Sequence, residues 1–283
     1  MPLVKDDDMV QADIAIVLTD IIGSTKFVQK HGNYTAAQWF KVHDRFCIST
    51  ITRHNGMLCD ASDGFLIYFA SVEDAIAFAI DYKKIMRTKK MPFSTRIGIH
   101  WDNMLIVKTP ENLVRANHKR ISLEGIGKNI AARTMSICGP NQILLSNQAY
   151  IKFKSRLTSN RHIPKNTLAA CVGLYKFKGV SKPETVWALG FQESDLQPPL
   201  SGEKVKRLAG SKKIRTHFRN KKLLELLNIF IRKLSLLSFF YVIYVFYPFL
   251  SNSTAKQLWN FDYFFLKPFE WIPPLLSYLK SLL

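Results

Sequence analysis

Two aspartates, Asp20 and Asp63, are the residues of this sequence best suited to hold a divalent cation. Residues 14–19 form a short, apolar and largely β-branched run, which is typical of a buried strand, and the run ends on Asp20. Residues 58–69 predict two short strands joined by the turn Ser62-Asp63-Gly64. If the two segments are neighbours in one sheet, both carboxylates lie at one rim and offer the oxygen ligands that Mg²⁺ prefers.

Each aspartate also has a simpler interpretation. Asp20 taken singly fits a helix N-cap, and Asp63 taken singly fits an ordinary turn residue. The pair, together with Gly23-Ser24-Thr25 and the apolar run after Asp63, favours a metal site.

The chain is basic, and its charge is uneven. The net charge of the 283 residues is +19, and residues 194–283 carry 14 Lys+Arg against 5 Asp+Glu. Residues 203–222 hold nine of those bases and one acid, without zinc-finger spacing or an RNA-recognition motif. A basic run before an apolar run is typical of a membrane-flanking segment, so we expect no nucleic-acid partner.

The four cysteines are scattered and show no metal-ligand spacing. Their positions predict reduced thiols in a cytosolic domain rather than a disulfide framework: Cys47, Cys59, Cys138 and Cys171. The acidic, polar start of the chain is not a signal peptide.

Apolar periodicity predicts an α+β, ferredoxin-like βαββαβ core with helices on one face of the sheet. Helical spacing within residues 23–54 predicts a crossover, and residues 72–86 predict an amphipathic helix. Strands are expected at 93–101 and 104–107, a loop at 110–119 and a helix at 125–138, followed by extra strands near 142–145, 168–172, 174–177 and 184–189. The glycines at 125 and 127 lack the spacing of a P-loop.

The C-terminal third predicts a different kind of segment. Residues 197–220 lack apolar periodicity and predict a linker, whereas residues 234–250 carry no charge and follow Arg232-Lys233. That run has the minimum length of a membrane span, although a buried helix remains the alternative. We therefore predict a domain at 1–193, a basic linker at 194–222 and a membrane-anchoring region at 223–283, with the first domain in the cytoplasm.

Four motifs in order resemble the catalytic domain of class III nucleotidyl cyclases over roughly residues 12–190. They are Thr19-Asp20-Ile21-Ile22-Gly23-Ser24-Thr25, Asp63-Gly64-Phe65, Arg96-Ile97-Gly98-Ile99-His100 and Asn129-Ile130-Ala131-Ala132-Arg133. The resemblance implies conversion of a nucleoside triphosphate to a 3′,5′-cyclic nucleotide and pyrophosphate by two Mg²⁺ or Mn²⁺ ions.

The resemblance also implies roles for individual residues. Asp20, Asp63 and the carbonyl of Ile21 match metal ligands, and the backbone at Ile22, Gly23, Ser24 and Thr25 is expected to face the polyphosphate. Asn129 matches the ribose-orienting residue, Arg133 the residue that stabilises the pentacovalent phosphate, and Lys178 the phosphate-binding lysine. In this family the two sets meet across a head-to-tail dimer, so a homodimer is expected.

The sequence departs from the family at the positions that contact the nucleobase. Cys59 stands where adenylyl cyclases have Lys and guanylyl cyclases Glu, and Ser122 stands where the family has Asp or Cys. Trp101-Asp102-Asn103 replaces a glycine-containing turn, and Asp60, Asn103 or Ser122 are other candidate base contacts.

Three interpretations follow from the sequence. The first is an active, membrane-anchored cyclase that uses ATP on the family prior, with a pyrimidine triphosphate as the alternative. The second is an inactive homologue that binds nucleotide and signals by dimerisation. The third is a basic, membrane-tethered adaptor with a cyclase-derived fold.

Overall fold

The computed structural model describes residues 8–61, 64–115, 119–155, 163–164, 166–209 and 215–217. The strands are β1 (Met9–Ile21), β2 (Met57–Ala61), β3 (Phe65–Phe69), β4 (Thr95–Lys108), β5 (Ile121–Glu124), β6 (Ile143–Ser146), β7 (Leu168–Phe177), β8 (Glu184–Gly190), β9 (Val205–Ala209) and β10 (Arg215–His217). The helices are α1 (Ser24–His31), α2 (Asn33–Arg53), α3 (Val72–Thr88), α4 (Glu111–Arg115), α5 (Ile126–Ser136) and α6 (Asn147–Ser155), with a 3₁₀ turn at Glu193–Leu196.

Strand β1 organises the first half of the sheet. It pairs antiparallel with β3 on one side and with β4 on the other, and β2 pairs with β3. The spatial order β2-β3-β1-β4, with α2 and α3 as the crossovers, is the predicted ferredoxin-like arrangement and is confirmed. Beyond β4 the sheet continues through β6, β8 and β7 to β10, while β5 pairs with β4 and β9 with β7.

Helices cover both faces of the sheet. Ala15 and Val17 belong to the core that contains α3, whereas Ile14 and Ile16 belong to a cluster with Ala131 of α5. The two crossover helices α2 and α3 lie on one face, as predicted for the ferredoxin-like core, and α5 covers the other face. Both faces are covered because the continuous apolar run in β1 is buried on both sides.

Helix α3 follows its sequence signals closely. The Ser71 hydroxyl accepts a hydrogen bond from the amide of Asp74 at 3.2 Å, which is an N-cap. Its buried side chains recur at helical spacing and include Ala75, Ile76, Ala79 and Ile80. The helix predicted over residues 72–86 is confirmed.

Two predictions about the middle of the chain are wrong. Residues 95–108 form the single strand β4 rather than two strands, because the pairing with β1 continues without a turn through Trp101, Asp102 and Asn103. The predicted loop at 110–119 contains α4, and β5 begins just after it.

The predicted linker contains two strands. β9 and β10 both pair with β7, and they belong to the same compact unit as the rest of the sheet. Val205 is the buried residue of β9, so the strand has too little apolar pattern to be recognised from the sequence. The boundaries of the three predicted regions stay predictions.

Within the described residues, no helix is long and apolar enough to cross a membrane. The predicted span at residues 234–250 lies outside the described part of the chain.

Helix α5 lies so close to β4 that a side chain at Gly98 has no room. A Cβ atom there would lie 2.4 Å from the backbone nitrogen of Met135 and 2.7 Å from the carbonyl oxygen of Ala131. Gly98→Ala should therefore push α5 off the sheet and destabilise the fold by roughly 2–4 kcal/mol. Thermal unfolding measures this effect as a lower Tm.

Gly139→Ala is the matched control, because a Cβ there would make an ordinary 3.5 Å contact with Gln142. Equal Tm values for the two variants would contradict the close packing of α5 on β4.

Candidate active site

Asp20 lies at the end of β1, beside the basic side chain of Arg96 on β4. The two residues are directly opposite in the antiparallel ladder. Arg96 donates to Oδ2 of Asp20 from Nε at 2.7 Å and from Nη2 at 2.5 Å, and it donates to the carbonyl of Ser136 from Nη1 at 3.2 Å. The Asp20 side chain is 19% exposed, so the carboxylate is held in place but still reaches solvent.

Gly64, which immediately precedes β3, lies against this end of β1. A Cβ at Gly64 would lie 1.9 Å from the carbonyl oxygen of Thr19 and 3.2 Å from Cα of Asp20, so the two backbones touch. The amide of Phe65 also donates to the Thr19 hydroxyl at 3.2 Å. Asp63 itself lies outside the described residues, and its neighbour Gly64 is the described part of the turn closest to Asp20.

The segment after Asp20 turns from the sheet into α1. Ile21 is buried and ends β1, and the Ile22 amide donates to the carbonyl of Ser94 at 2.9 Å. The Ile22 amide is therefore already hydrogen-bonded within the fold. Gly23 adopts a left-handed conformation, φ +71°, and the first backbone bond of α1 runs from Phe27 to the Gly23 carbonyl.

The amides of Gly23, Ser24 and Thr25 precede that bond, as the first amides of a helix do. Gly23 and Thr25 are exposed, which leaves this helix start open to an anion.

Asn129 and Arg133 lie one turn apart on α5, as predicted. Asn129 is exposed, whereas Arg133 is half-buried and its Nε is buried without a hydrogen-bond partner among the described residues. Arg96 reaches the C-terminal end of the same helix at Ser136. Asn129 lies seven residues before Ser136, which is about 10 Å along a helix axis.

Lys178 is exposed in the turn after β7, and its backbone amide donates to the carbonyl of Lys204 at 2.9 Å. Strand β7 is separated from β1 by β8, β6 and β4. Four strand spacings amount to about 19 Å. The fold of one chain therefore does not bring Lys178 beside Asp20.

Cys59 is buried inside an apolar cluster. It is 7% exposed and packs with Ile14, Met104 and Leu123. Burial is the largest cause that raises the pKa of the thiol to about 12, and the neighbouring carboxylate of Asp60 adds to it. The thiol is therefore neutral near pH 7.

A bulge between Leu58 and Asp60 changes which residue of β2 is available for a polar contact. Asp60 lies opposite Leu66 and forms an ion pair with Lys119 at 2.5 Å between Oδ2 and Nζ. Ser122 lies on β5 opposite Val107 and is half-buried. Sequence reasoning named Asp60 as a possible base contact but missed Lys119, which lacks a motif of its own.

A second group missed from the sequence connects β4 with α5 and β6. Nδ1 of the buried His100 lies 2.7 Å from the hydroxyl of Ser146, and its Nε2 lies 3.5 Å from Oδ2 of Asp102. The nearby imidazole of His100 is the largest cause that lowers the pKa of the Asp102 carboxyl. A Cβ at Gly127 would lie 2.9 Å from this carboxylate, which places Asp102 at the first turn of α5.

The described residues hold no group of three or more His, Cys, Asp or Glu side chains placed to bind a metal. Among the described residues at this rim, Asp20 supplies a partly exposed carboxylate. Arg96, which shares its motif with Gly98 and His100, is the site residue that the sequence showed but did not single out. The signal that identifies Arg96 is a basic residue on the strand opposite the aspartate that ends β1.

Comparisons with solved structures identify the fold. The adenylyl cyclase CyaB from P. aeruginosa is 15% identical, with 66% of this chain and 98% of that chain covered and a TM-score of 0.53. An adenylate cyclase from Trypanosoma brucei is 19% identical, with 63% and 89% covered and a TM-score of 0.51. The guanylate cyclase domain of RhGC from Catenaria anguillulae, in complex with GTP, is 16% identical, with 63% and 97% covered and a TM-score of 0.53.

Neither a protein-family model nor a curated protein matches the sequence. The chain has the fold of the class III adenylyl and guanylyl cyclase catalytic domains. The resemblance inferred from four short motifs is thus confirmed at the level of the fold.

The burial of Cys59 has a measurable consequence. In the folded chain at pH 8, the thiol should react with iodoacetamide roughly a thousandfold more slowly than in the urea-unfolded chain, because only the thiolate is nucleophilic. Peptide mass spectrometry follows this alkylation, with the half-exposed Cys171 as the internal reference. Alkylation of Cys59 as fast as Cys171 would mean that Cys59 faces an open pocket.

Proposed function

We propose that this chain is a nucleotidyl cyclase that converts a nucleoside triphosphate to a 3′,5′-cyclic nucleotide and pyrophosphate. The observation that carries the proposal is the end of β1. There the partly exposed carboxylate of Asp20 lies beside the glycine turn at Gly64 and leads directly into the helix start at Gly23. A carboxylate for a cation and amides for phosphates are thereby combined within a few residues.

The residues at this rim fit Mg²⁺ or Mn²⁺. Asp20 offers a carboxylate of which only Oδ2 is used by Arg96, and Ile21 offers a backbone carbonyl at the strand end. Asp63 completes the proposed set for two ions, and its neighbour Gly64 touches the backbone of Asp20. Bound divalent cations supply activation of the ribose 3′-oxygen and neutralisation of the triphosphate.

The chain's own residues position the substrate. In the proposed reaction the 3′-oxygen attacks the α-phosphorus, and the bond to the leaving pyrophosphate breaks. Arg96 adds a guanidinium to the rim, and it would be free to bind a phosphate if Asp20 held a cation. Asn129 orients the ribose, while Arg133 and Lys178 stabilise the charge that develops on the phosphates.

We further propose that the active site forms between two copies of the chain. Lys178 is about 19 Å from β1 across the sheet of one copy, and Arg133 keeps a buried Nε without a partner in the described residues. A second copy related by twofold symmetry brings the metal-binding half of one subunit to the α5 half of the other. Half-buried apolar side chains on the α5 face offer surface for this contact: Leu18, Leu66, Tyr68, Ile106 and Ile121.

The base contact is assigned to Asp60 and Lys119 rather than to Cys59. A carboxylate accepts from an exocyclic amino group, and an ammonium donates to a ring nitrogen or carbonyl oxygen. Cys59 is neutral and enclosed by apolar side chains, so it contributes shape and no strong hydrogen bond. ATP is the proposed substrate, with a pyrimidine triphosphate as the second candidate.

The proposal extends to location. The catalytic unit works in the cytoplasm, and the uncharged run 234–250 behind the basic segment attaches it to a membrane.

Loss of the first carboxylate tests the metal assignment. Asp20→Asn should lower kcat at least about a hundredfold and abolish Mn²⁺ binding measured by calorimetry, because the neutral amide no longer offsets metal charge. Asp13→Asn, on the same strand, is the matched control and should keep both properties. Full activity of Asp20→Asn would contradict the assignment.

Mixing two inactive variants tests the shared site. Asp20→Asn and Arg133→Ala damage different halves, so a 1:1 mixture that exchanges subunits should regain about a quarter of the normal activity. Half of its dimers are mixed, and each mixed dimer holds one intact site. The control mixture of Asp20→Asn with Asp63→Asn damages the same half and should stay inactive. Equal behaviour of the two mixtures, with subunit exchange demonstrated, would rule out a shared site.

Base choice tests the role of the ion pair. Asp60→Asn should change the ratio of kcat/KM between ATP and UTP by about tenfold or more, because the carboxylate that accepts from the base is lost. Cys59→Ala, which removes only the sulfur atom in the adjacent position, should leave that ratio within about twofold. A changed ratio in Cys59→Ala with an unchanged ratio in Asp60→Asn would instead assign the base contact to Cys59.

A further inference from the structure

The outer edge of the sheet at β7 and β9 is strongly basic. Segments 174–182 and 202–208 together contain five lysines, one arginine and a single acid, Glu203. Lys182, Lys204 and Lys206 are exposed, and Lys176 is half-buried with its ammonium bonded to the carbonyl of Ser181. We name these four residues the lysine rim; Lys178 is left out because it is assigned to the catalytic site.

The register of the two strands brings like charges together. Lys176 and Lys206 are directly opposite in the antiparallel ladder. No member of the lysine rim forms an ion pair within the described part of the chain. Like charges directly opposite each other destabilise a sheet, so these lysines do not stabilise the fold. Their arrangement suits the binding of an anionic partner.

Large apolar side chains accompany the rim. Leu200 is 84% exposed and Leu208 is 48% exposed. The backbone amide of Arg207 donates to the Ser201 hydroxyl at 3.1 Å, which holds the segment with Leu200 against β9. Exposed leucines next to uncompensated lysines are typical of a surface that enters the interface of an anionic bilayer.

The surroundings of the rim and the sequence that follows it favour a lipid bilayer over a nucleic acid as the partner. Tyr175 and Phe177 are buried, so segments 174–182 and 200–209 present no exposed aromatic ring on which a base can stack. After β10 the sequence continues with Arg219, Lys221 and Lys222, and the uncharged run 234–250 follows. The lysine rim and the sequence that follows it therefore suit the same surface.

We propose that the lysine rim, with Leu200 and Leu208, is a docking surface for an anionic lipid bilayer and fixes the orientation of the catalytic unit on it. The rim acts in addition to any anchor within residues 223–283. Its test does not depend on cyclase activity.

Lysine acetylation of the full-length chain reconstituted in vesicles tests the proposal. In vesicles of phosphatidylcholine with phosphatidylserine, the acetylation rates of Lys182, Lys204 and Lys206 should fall at least about fivefold relative to pure phosphatidylcholine. About 0.5 M salt should restore them, because the attraction is screened over a few ångströms. Lys41 on α2 and Lys84 on α3 are exposed controls and should keep their rates.

Variants separate the rim from the anchor. Lys204→Gln with Lys206→Gln should remove the protection of Lys182 by phosphatidylserine, whereas Lys41→Gln with Lys84→Gln should leave it. Equal acetylation in neutral and anionic vesicles would overturn the proposal, even if the chain stays attached through residues 223–283. Protection by RNA or by Mg·ATP in the absence of vesicles would also overturn it, because the rim would then serve a nucleic acid or the catalytic site.

Discussion

The close contact between the turn at Gly64 and the end of strand β1 is the constraint on which the proposed site depends. The backbone at Gly64 touches the carbonyl of Thr19, so no side chain fits between the β2–β3 turn and the carboxylate-bearing strand end. Arg96 then holds the Asp20 carboxylate from the opposite strand with two hydrogen bonds to one oxygen. A carboxylate fixed in this way needs little reorganisation when a cation replaces part of the guanidinium charge.

The other half of the proposed site depends on a second close approach. Gly98 lets α5 lie directly on β4, and Asp102, whose carboxylate lies 3.5 Å from the buried His100, lies at the first turn of that helix. Asn129 and Arg133 are therefore carried by a helix that is fixed at both ends, since Arg96 binds the carbonyl of Ser136. Within one chain, three strands separate β7, which leads to Lys178, from β1, which ends at Asp20, and the proposed mechanism therefore requires a second copy.

The sequence was sufficient for the parts of the fold that repeat a local pattern. The apolar run of residues 14–19, the two short strand patterns within residues 58–69 and the spacing of α3 all predicted their elements correctly. The sequence was insufficient where a single residue determines the local structure. The bulge at Cys59 reverses the side-chain alternation of β2, and β9 is held by the single buried residue Val205. The ion pairs of Asp20 with Arg96 and of Asp60 with Lys119 join residues that are far apart in sequence, so only the sheet register reveals them.

Product analysis of the full-length chain with Mn²⁺ and each of ATP, GTP, CTP and UTP tests the proposed cyclase reaction directly. We expect a 3′,5′-cyclic nucleotide from at least one of the four, with one pyrophosphate released per cyclic product and neither formed by Asp20→Asn. Mass spectrometry identifies the product, and a coupled assay counts the pyrophosphate. A folded chain that binds these nucleotides with Mn²⁺ yet forms no cyclic product from any of them would contradict the account and assign the fold to nucleotide binding alone.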